Sequence, residues 1–241
     1  MQISNSIVLV TGANRGTGRE YVRQLLERGA AKIYAAARDV ASLDAIVLQD
    51  PDRIVPIRLD ITKQADIDAA AQAASDVTLL INNAGVLSFG GALDVGPDAI
   101  EQDMSVNYRG LLDMTRAFAP VIERNGGGTV VNMLSLLSFL SAPGFSAYNA
   151  SKAAAWSMTM SLRAYLAPRN IEILNAFPAG IDTDMLAAVD GPKDSPHDVV
   201  ADVLSALERG EEDVYPAAAG AVHSSWRQDP KAVEKMLATM M

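Results

Sequence analysis

The chain has 241 residues, with 29 Asp and Glu against 20 Lys and Arg, no cysteine, two histidines and 49% hydrophobic residues. At roughly 100–200 residues per domain this is one large domain or two small ones, and the apolar content argues against disorder. Without cysteine there is no disulfide, thiolate metal site or thiol nucleophile; His197 and His223 cannot make a three-histidine zinc site, and a net charge of −9 with no basic stripe argues against nucleic acid as a partner.

The first six residues carry no basic cluster and run into a short apolar strand, so no signal peptide is expected. Residues 7–10 read as a buried strand. Residues 19–29 follow as an amphipathic helix, with Val22, Leu25 and Leu26 on one side and Gly29 as its stop. Strands are expected at 32–37, 54–59 and 77–81, with an alanine-rich helix at 64–75. Residues 97–124 carry helical periodicity through Ile100, Met104, Leu111, Leu112, Phe118 and Val121, ended by three glycines. A strand at 129–134, a long helix at 146–166 and a strand at 171–177 come next. Ser195 caps another helix, with Pro196 first and Asp198 third, and 214–216 is long enough for a last short strand. The tail from Pro216 fits this alternation least; it reads as an appendage, a helix or a partner-binding segment. The longest apolar stretch, 129–142, is broken by Asn132, Ser135, Ser138 and Ser141 and is short of the roughly 20 residues of a membrane span, so a cytoplasmic protein without membrane association is expected.

Apolar strands alternating with helices imply an α/β fold, a parallel sheet covered on both faces by right-handed crossovers. No repeat or linker divides the chain, so one doubly wound domain over 1–241 is expected. The acidity is uneven. Residues 181–241 hold 12 acids and 5 bases, a net of −7, and residues 1–180 hold 17 and 15, a net of −2.

Between the first strand and first helix lies Thr11-Gly12-Ala13-Asn14-Arg15-Gly16-Thr17-Gly18. Glycines let the backbone turn tightly and approach a ligand, and the helix that follows aims free N–H groups and its positive dipole end at it. A pyrophosphate suits that place. The spacing is G-x-x-x-G-x-G, not the G-x-G-x-x-G fingerprint, and such glycines also serve ordinary turns; the strand before and the helix after favour the phosphate. A free adenosine ribose usually meets an acid at the end of the second strand; here Ala37 is followed by Arg38, with Arg15 across from it in the glycine loop. Two guanidinium groups suit a 2′-phosphate, hence NADP, with NAD second; both can also be plain surface arginines, and Asp39 offers Arg38 a salt bridge or a ribose a weak contact.

Tyr148 and Lys152, four apart near the start of a helix, share a face. A tyrosine near pKa 10 is a poor acid–base group at neutral pH, and a neighbouring ammonium lowers that value. The pair can then exchange a proton with an alcohol or carbonyl. A lone Y-x-x-x-K arises by chance in many helices, but Ser135, thirteen residues earlier at a strand end, strengthens it by offering a hydroxyl to a substrate oxygen.

With these pieces in order, the chain resembles the short-chain dehydrogenase/reductase family over nearly its whole length. The resemblance rests on Thr11-Gly12-x-x-x-Gly16-x-Gly18, Asp60, Asn82-Asn83-Ala84-Gly85, Asn107, Ser135, Tyr148, Lys152 and residues 178–183. It implies a seven-stranded sheet in the order 3-2-1-4-5-6-7. It also implies a tetrad in which Tyr148 protonates the carbonyl oxygen or takes the hydroxyl proton, and Ser135 orients that oxygen. Lys152 would lower the tyrosine pKa and bind the nicotinamide ribose, and Asn107 would bind a water linking Lys152 to solvent. Asp60 and Ile61 would flank the adenine, Asn83, Ala84 and Gly85 its ribose, and Ile181 and Thr183 the carboxamide, beyond Pro178. Residues 1–180 would form the cofactor-binding and catalytic core, and 181–241 the substrate loop, last helix and strand, and tail. Pro178-Ala179-Gly180 replaces the frequent Pro-Gly, and Leu134 replaces a frequent serine before Ser135.

Residues 185–192 stand where the family has its substrate loop, apolar until Asp190. Leu136, Leu140, Phe145, Met185 and Leu186 are candidates for the pocket lining, or for plain core. No arginine lies there to clamp an acid, so a neutral, mainly apolar ketone, aldehyde or secondary alcohol is expected. No metal is called for, since no dense histidine–carboxylate cluster exists. The alternative function is a dinucleotide-binding regulator or scaffold, which has no need of Tyr148. The family also implies a homodimer or homotetramer through the helices holding Asn107 and Tyr148. Trp156, Met158 and Met160 fit that burial, and equally fit core packing.

Overall fold

The strands form one seven-stranded parallel sheet in the order β3-β2-β1-β4-β5-β6-β7, as expected. They are β1 (Ile7–Thr11), β2 (Lys32–Ala37), β3 (Ile54–Arg58), β4 (Leu79–Asn82), β5 (Gly128–Met133), β6 (Ile171–Ala176) and β7 (Asp213–Val214). This is a computed structural model, and it describes residues 1–239.

Alternate strand residues feed two cores. Val8, Val10, Ile33 and Ala35 point to one face and meet Tyr21, Val22 and Leu25 of α1 (Gly16–Glu27), Ile46 of α2 (Asp44–Val47), and Val199, Val203 and Leu207 of α7 (Pro196–Arg209). Leu9, Tyr34 and Ala36 point to the other and meet Ile67 and Ala70 of α3 (Gln64–Ala73), Met114, Phe118 and Ile122 of α5 (Leu111–Arg124), and Leu166 of α6 (Ser146–Leu166). Period-two alternation on a sheet covered on both sides requires this division.

The structure departs from the expected elements in three places. The turn Val40–Leu43 and α2 occupy a stretch left blank, with Asp39 capping them through a bond from the Ala41 N–H at 3.1 Å. The single helix expected at 97–124 is α4 (Pro97–Met104), a π-helical stretch Ser105–Gly110, and α5. Within that wider turn the Asn107 side chain bonds both backbone groups of Val86, a fixation from outside the helix that periodicity does not reveal. The tail forms α8 (Ala219–Gln228) and α9 (Pro230–Leu237) and packs on its own chain. There Val233 and Trp226 cover Leu134, Leu136, Leu140 and Phe177, and Phe139 lies 4.7 Å from the Trp226 ring and 5.6 Å from Trp156. Among the described residues no helix is long and apolar enough to cross a membrane.

Candidate active site

The site is assembled from chain segments just past the carboxyl ends of β1 to β6. The first segment is the glycine loop. Gly12 and Gly16 have φ of +65° and +50°, in the left-handed region that disfavours side chains. A Cβ on Gly18 would stand 1.9 Å from the Gly12 carbonyl oxygen, so α1 can approach β1 this closely only with glycine there. Asn83 staples the loop: its Nδ2 donates to the Thr11 carbonyl at 2.9 Å, and its Oδ1 accepts from Thr17 at 2.7 Å. Thr11 Oγ1 in turn accepts from the Asn83 and Ala84 N–H groups at 3.0 Å each. The side chain of Arg15 does not cap α1 and no acid lies in its first turn, which leaves those N–H groups to an anion.

Around this loop lies a cavity of about 620 Å³, within the range of sites for small ligands. Of the residues expected to hold a cofactor, Thr11, Gly12, Asn14, Arg15, Gly16, Arg38, Asp60, Ile61, Asn83, Ala84, Gly85 and Thr183 line it. Gly18 is buried beneath the loop; Pro178 is buried and accepts from the Leu136 N–H at 3.0 Å; Ile181 bridges to Asp194. The lining runs from Arg38 past β2 to Thr183 past β6, and Ser135, Tyr148 and Lys152 are not part of it. Asp60 is drawn to Thr62, whose N–H and hydroxyl it accepts, and these bonds outweigh its burial to hold its carboxyl below the usual range.

The two arginines are disposed differently. Arg38 is exposed at the cavity rim and makes no ion pair among the described residues, because Asp39 is occupied as a cap. Arg15 pairs with Asp184 at 3.2 Å, on the far lip of the cavity.

Tyr148 and Lys152 lie in the first turns of α6 on one face, with Lys152 Nζ 5.7 Å from the centre of the phenol ring. Lys152 is 4% exposed and donates to the Met133 carbonyl at the end of β5, at 2.7 Å. Ser135, 7% exposed, lies just beyond; its Oγ accepts from the Leu137 N–H at 3.1 Å. Burial pushes the Tyr148 phenol up to about 12, the Ser135 hydroxyl beside it acting the other way. Burial pushes the Lys152 ammonium down to about 8. The expected lowering of the phenol by Lys152 is therefore not what the structure shows. The ammonium is turned to a β5 carbonyl, and desolvation of the ring dominates. At neutral pH the phenol holds its proton and is a donor.

Asn107 comes close to Lys152 through Gly85: a Cβ on Gly85 would lie 3.3 Å from Asn107 Oδ1 and 3.8 Å from Lys152 Nζ. Its Nδ2 donates to the Val86 carbonyl at 2.9 Å and to Ser151 Oγ at 3.0 Å. Of the substrate-pocket candidates, Met185 lines the cavity, and Phe145, half-buried ahead of α6, lies 5.5 Å from Phe89. Leu186 is half-buried, while Leu136 and Leu140 are buried under the tail. Sequence reasoning missed Asp103, a fully buried acid one helical turn before Asn107, and Phe89.

A family model described as short chain dehydrogenase matches residues 6–193. The chain is 31% identical over 186 residues to the NADPH carbonyl reductase 2 of Sus scrofa, covering 77% of this chain and 75% of the relative. It is 41% identical to a short chain dehydrogenase from Burkholderia cenocepacia J2315 solved in complex with NADP, with a TM-score of 0.93 over 99% of this chain and 100% of that one. It is 28% identical to a 3-ketoacyl-(acyl-carrier-protein) reductase from Brucella melitensis complexed with NADH, with a TM-score of 0.80 over 85% of this chain and 91% of that one. The seven-stranded parallel sheet agrees with this likeness, and the chain belongs to the short-chain dehydrogenase/reductase family.

Proposed function

We propose that the protein is an NADP(H)-dependent oxidoreductase acting on a neutral, mainly apolar carbonyl or secondary alcohol. The observation that carries this reading is the juxtaposition of the half-buried Tyr148 phenol with the buried Ser135 hydroxyl and Lys152 ammonium, next to Gly85 of the cavity wall. Held in the cavity, a nicotinamide cofactor would supply or accept the hydride. Tyr148 donates its proton to the carbonyl oxygen during reduction, and Ser135 orients that oxygen. Lys152 would hold the nicotinamide ribose. Asn107 fixes the loop that Gly85 and Val86 belong to. Arg38, which makes no ion pair among the described residues and lines the cavity with Asp60, supports a 2′-phosphate and so NADP over NAD, as does the NADP complex of the Burkholderia relative. Residues 185–192 bring no cation to the substrate side, which supports a neutral substrate. Met160 and Tyr165 on α6, 46% and 76% exposed, support assembly of copies through that helix.

Tyr148→Phe removes the proton donor and keeps the ring. Turnover should fall by about 10²–10⁴-fold, the usual worth of a general acid, while NADPH binding measured by fluorescence stays within about twofold. Persistent turnover would refute the assigned role.

A further inference from the structure

The tail from Pro216 lies outside residues 6–193, the part of the chain that the family model matches, and the proposed reaction makes no use of it. It is anchored at several points. The Tyr215 ring, just past β7, stacks on Phe177 at 5.2 Å and on His223 of α8 at 3.6 Å. The Ala217 N–H donates to the Asp202 carboxylate of α7 at 2.8 Å, and Asp229 caps α9 by accepting from the Ala232 N–H at 3.0 Å. What these helices cover is the turn that carries Ser135. The backbone at Ser135 is extended, with φ −165° and ψ 157°, so its side chain leaves the chain on one side and those of Leu134 and Leu136 on the other. The hydroxyl stands on the first side, where it acts on the Tyr148 phenol. On the second side Leu134 and Leu136 are buried in one apolar cluster with Ala219 of α8 and Val233 of α9, and Trp226 packs against it. The Trp226 ring also meets Phe139, at the end of the same turn, at 4.7 Å. Within the sheet, the Leu134 N–H donates to the Ala176 carbonyl at 2.9 Å and the Leu136 N–H to the Pro178 carbonyl at 3.0 Å. These backbone bonds hold the turn along the sheet, and the tail closes it from behind. Leu134, which stands where the family frequently has a serine, suits such an apolar cover.

We propose that the tail is a positioning element of the reaction that acts through Ser135: Trp226 and Val233 pack behind Leu134 and Leu136 and so hold the serine hydroxyl where the carbonyl oxygen is met. Neither residue touches substrate or cofactor in this role. No residue of the tail lines the glycine-loop cavity, so cofactor binding is independent of it.

This inference rests on the proposed reductase activity and on the place of Ser135 in it, and its test separates the two. The kcat for NADPH-driven reduction of a neutral ketone is measured for the wild type, Trp226→Ala, Ser135→Ala and the double variant. A misplacement of about 1 Å is worth about 10²-fold, so Trp226→Ala should lose about 10–100-fold in kcat while the Kd for NADPH stays within about twofold. Trp226→Phe keeps a ring against Phe139 and should stay within about threefold of the wild type. In the Ser135→Ala background the Trp226→Ala step should change kcat by less than about threefold, because groups that act as a unit do not add. A merely structural tail gives the full loss in both backgrounds. That result, or an undiminished kcat in Trp226→Ala, would overturn the proposal. If Trp226→Ala does not fold, Val233→Ala makes a smaller hole in the same cluster and goes through the same cycle. Amide hydrogen exchange gives a reading without turnover. In Trp226→Ala, residues 134–140 should exchange about tenfold faster or more, and the glycine loop 11–18 at the wild-type rate. A wild type that reduces no carbonyl refutes the proposed function, and unmoved exchange at 134–140 refutes this inference.

Discussion

Arg38 and Asp39 show how neighbouring charges are divided by backbone geometry. Asp39 turns its carboxylate to the Ala41 N–H, so Arg38 keeps its charge at the cavity rim, while Arg15 is drawn across the cleft to Asp184. Charge-assisted bonds to a phosphate are worth about 1.5–3 kcal/mol, so Arg38→Ala should raise the Kd for NADPH by about 10–100-fold and leave NADH within about twofold. Equal losses for both would contradict the 2′-phosphate assignment. The Arg15–Asp184 pair is mostly exposed and worth at most about 1 kcal/mol. Asp184→Asn, measured in the same titration, should therefore tighten NADPH by about two- to fivefold. The spacing of Ser135, Tyr148 and Lys152 was legible because it follows from strand-end and helix geometry. Asp103 was not legible, because a lone acid on a helix reads as solvent-facing until its burial is seen. The Arg15 pairing was also out of reach, since Asp184 is distant in sequence and near only in the fold.

Among the elements, β4, β5 and β6 conceal a polar row that sequence pattern does not show. Asn82, Asn132, Asn175 and Asp213 are in register across the sheet. Asn82 Nδ2 donates to Asn132 Oδ1 at 3.0 Å, Asn132 Nδ2 to Asn175 Oδ1 at 3.1 Å, and Asn175 Nδ2 to Asp213 Oδ1 at 3.4 Å. Each asparagine reads as a flaw in an apolar strand, and only the register shows that they bond one another, with Asn82 Oδ1 left without a partner among the described residues. Asn132→Ala removes the middle member and strips a partner from buried groups on both sides. At about 1–3 kcal/mol for each such group, urea unfolding should show a loss of about 2–4 kcal/mol. A loss below about 0.5 kcal/mol would mean that the row does not hold the strands. The long strands and helices were readable from periodicity, since burial on two faces dictates it. The π-helical stretch was not, because it depends on the bonds of Asn107 to a distant loop. The tail was left open for a similar reason: its aromatic contacts with Phe139 and Phe177 lie far along the chain.

At the scale of the whole molecule, the parallel order gathers the chemistry on one edge. Strand order reverses between β2-β1 and β4-β5, and crevices outside the carboxyl ends of strands at such a reversal are where ligands bind. Thr11, Arg38, Asp60, Asn83, Ser135 and Pro178 each follow the end of a different strand, so one topology brings six distant segments together. The alternation of strands and helices made a parallel sheet covered on both faces legible, and the family resemblance implied its strand order. The negative charge is concentrated in residues 181–241, and of these Asp184 reaches the cavity and pairs with Arg15 of the glycine loop. The most direct measurement of the central claim is the rate of NADPH oxidation by the purified protein across neutral ketones, aldehydes and quinones, with NADH and carboxylated ketones beside them. Turnover is expected with NADPH and neutral, apolar carbonyls, and weaker turnover with NADH or charged substrates. No turnover with any neutral carbonyl, or a strong preference for carboxylated substrates, would contradict it.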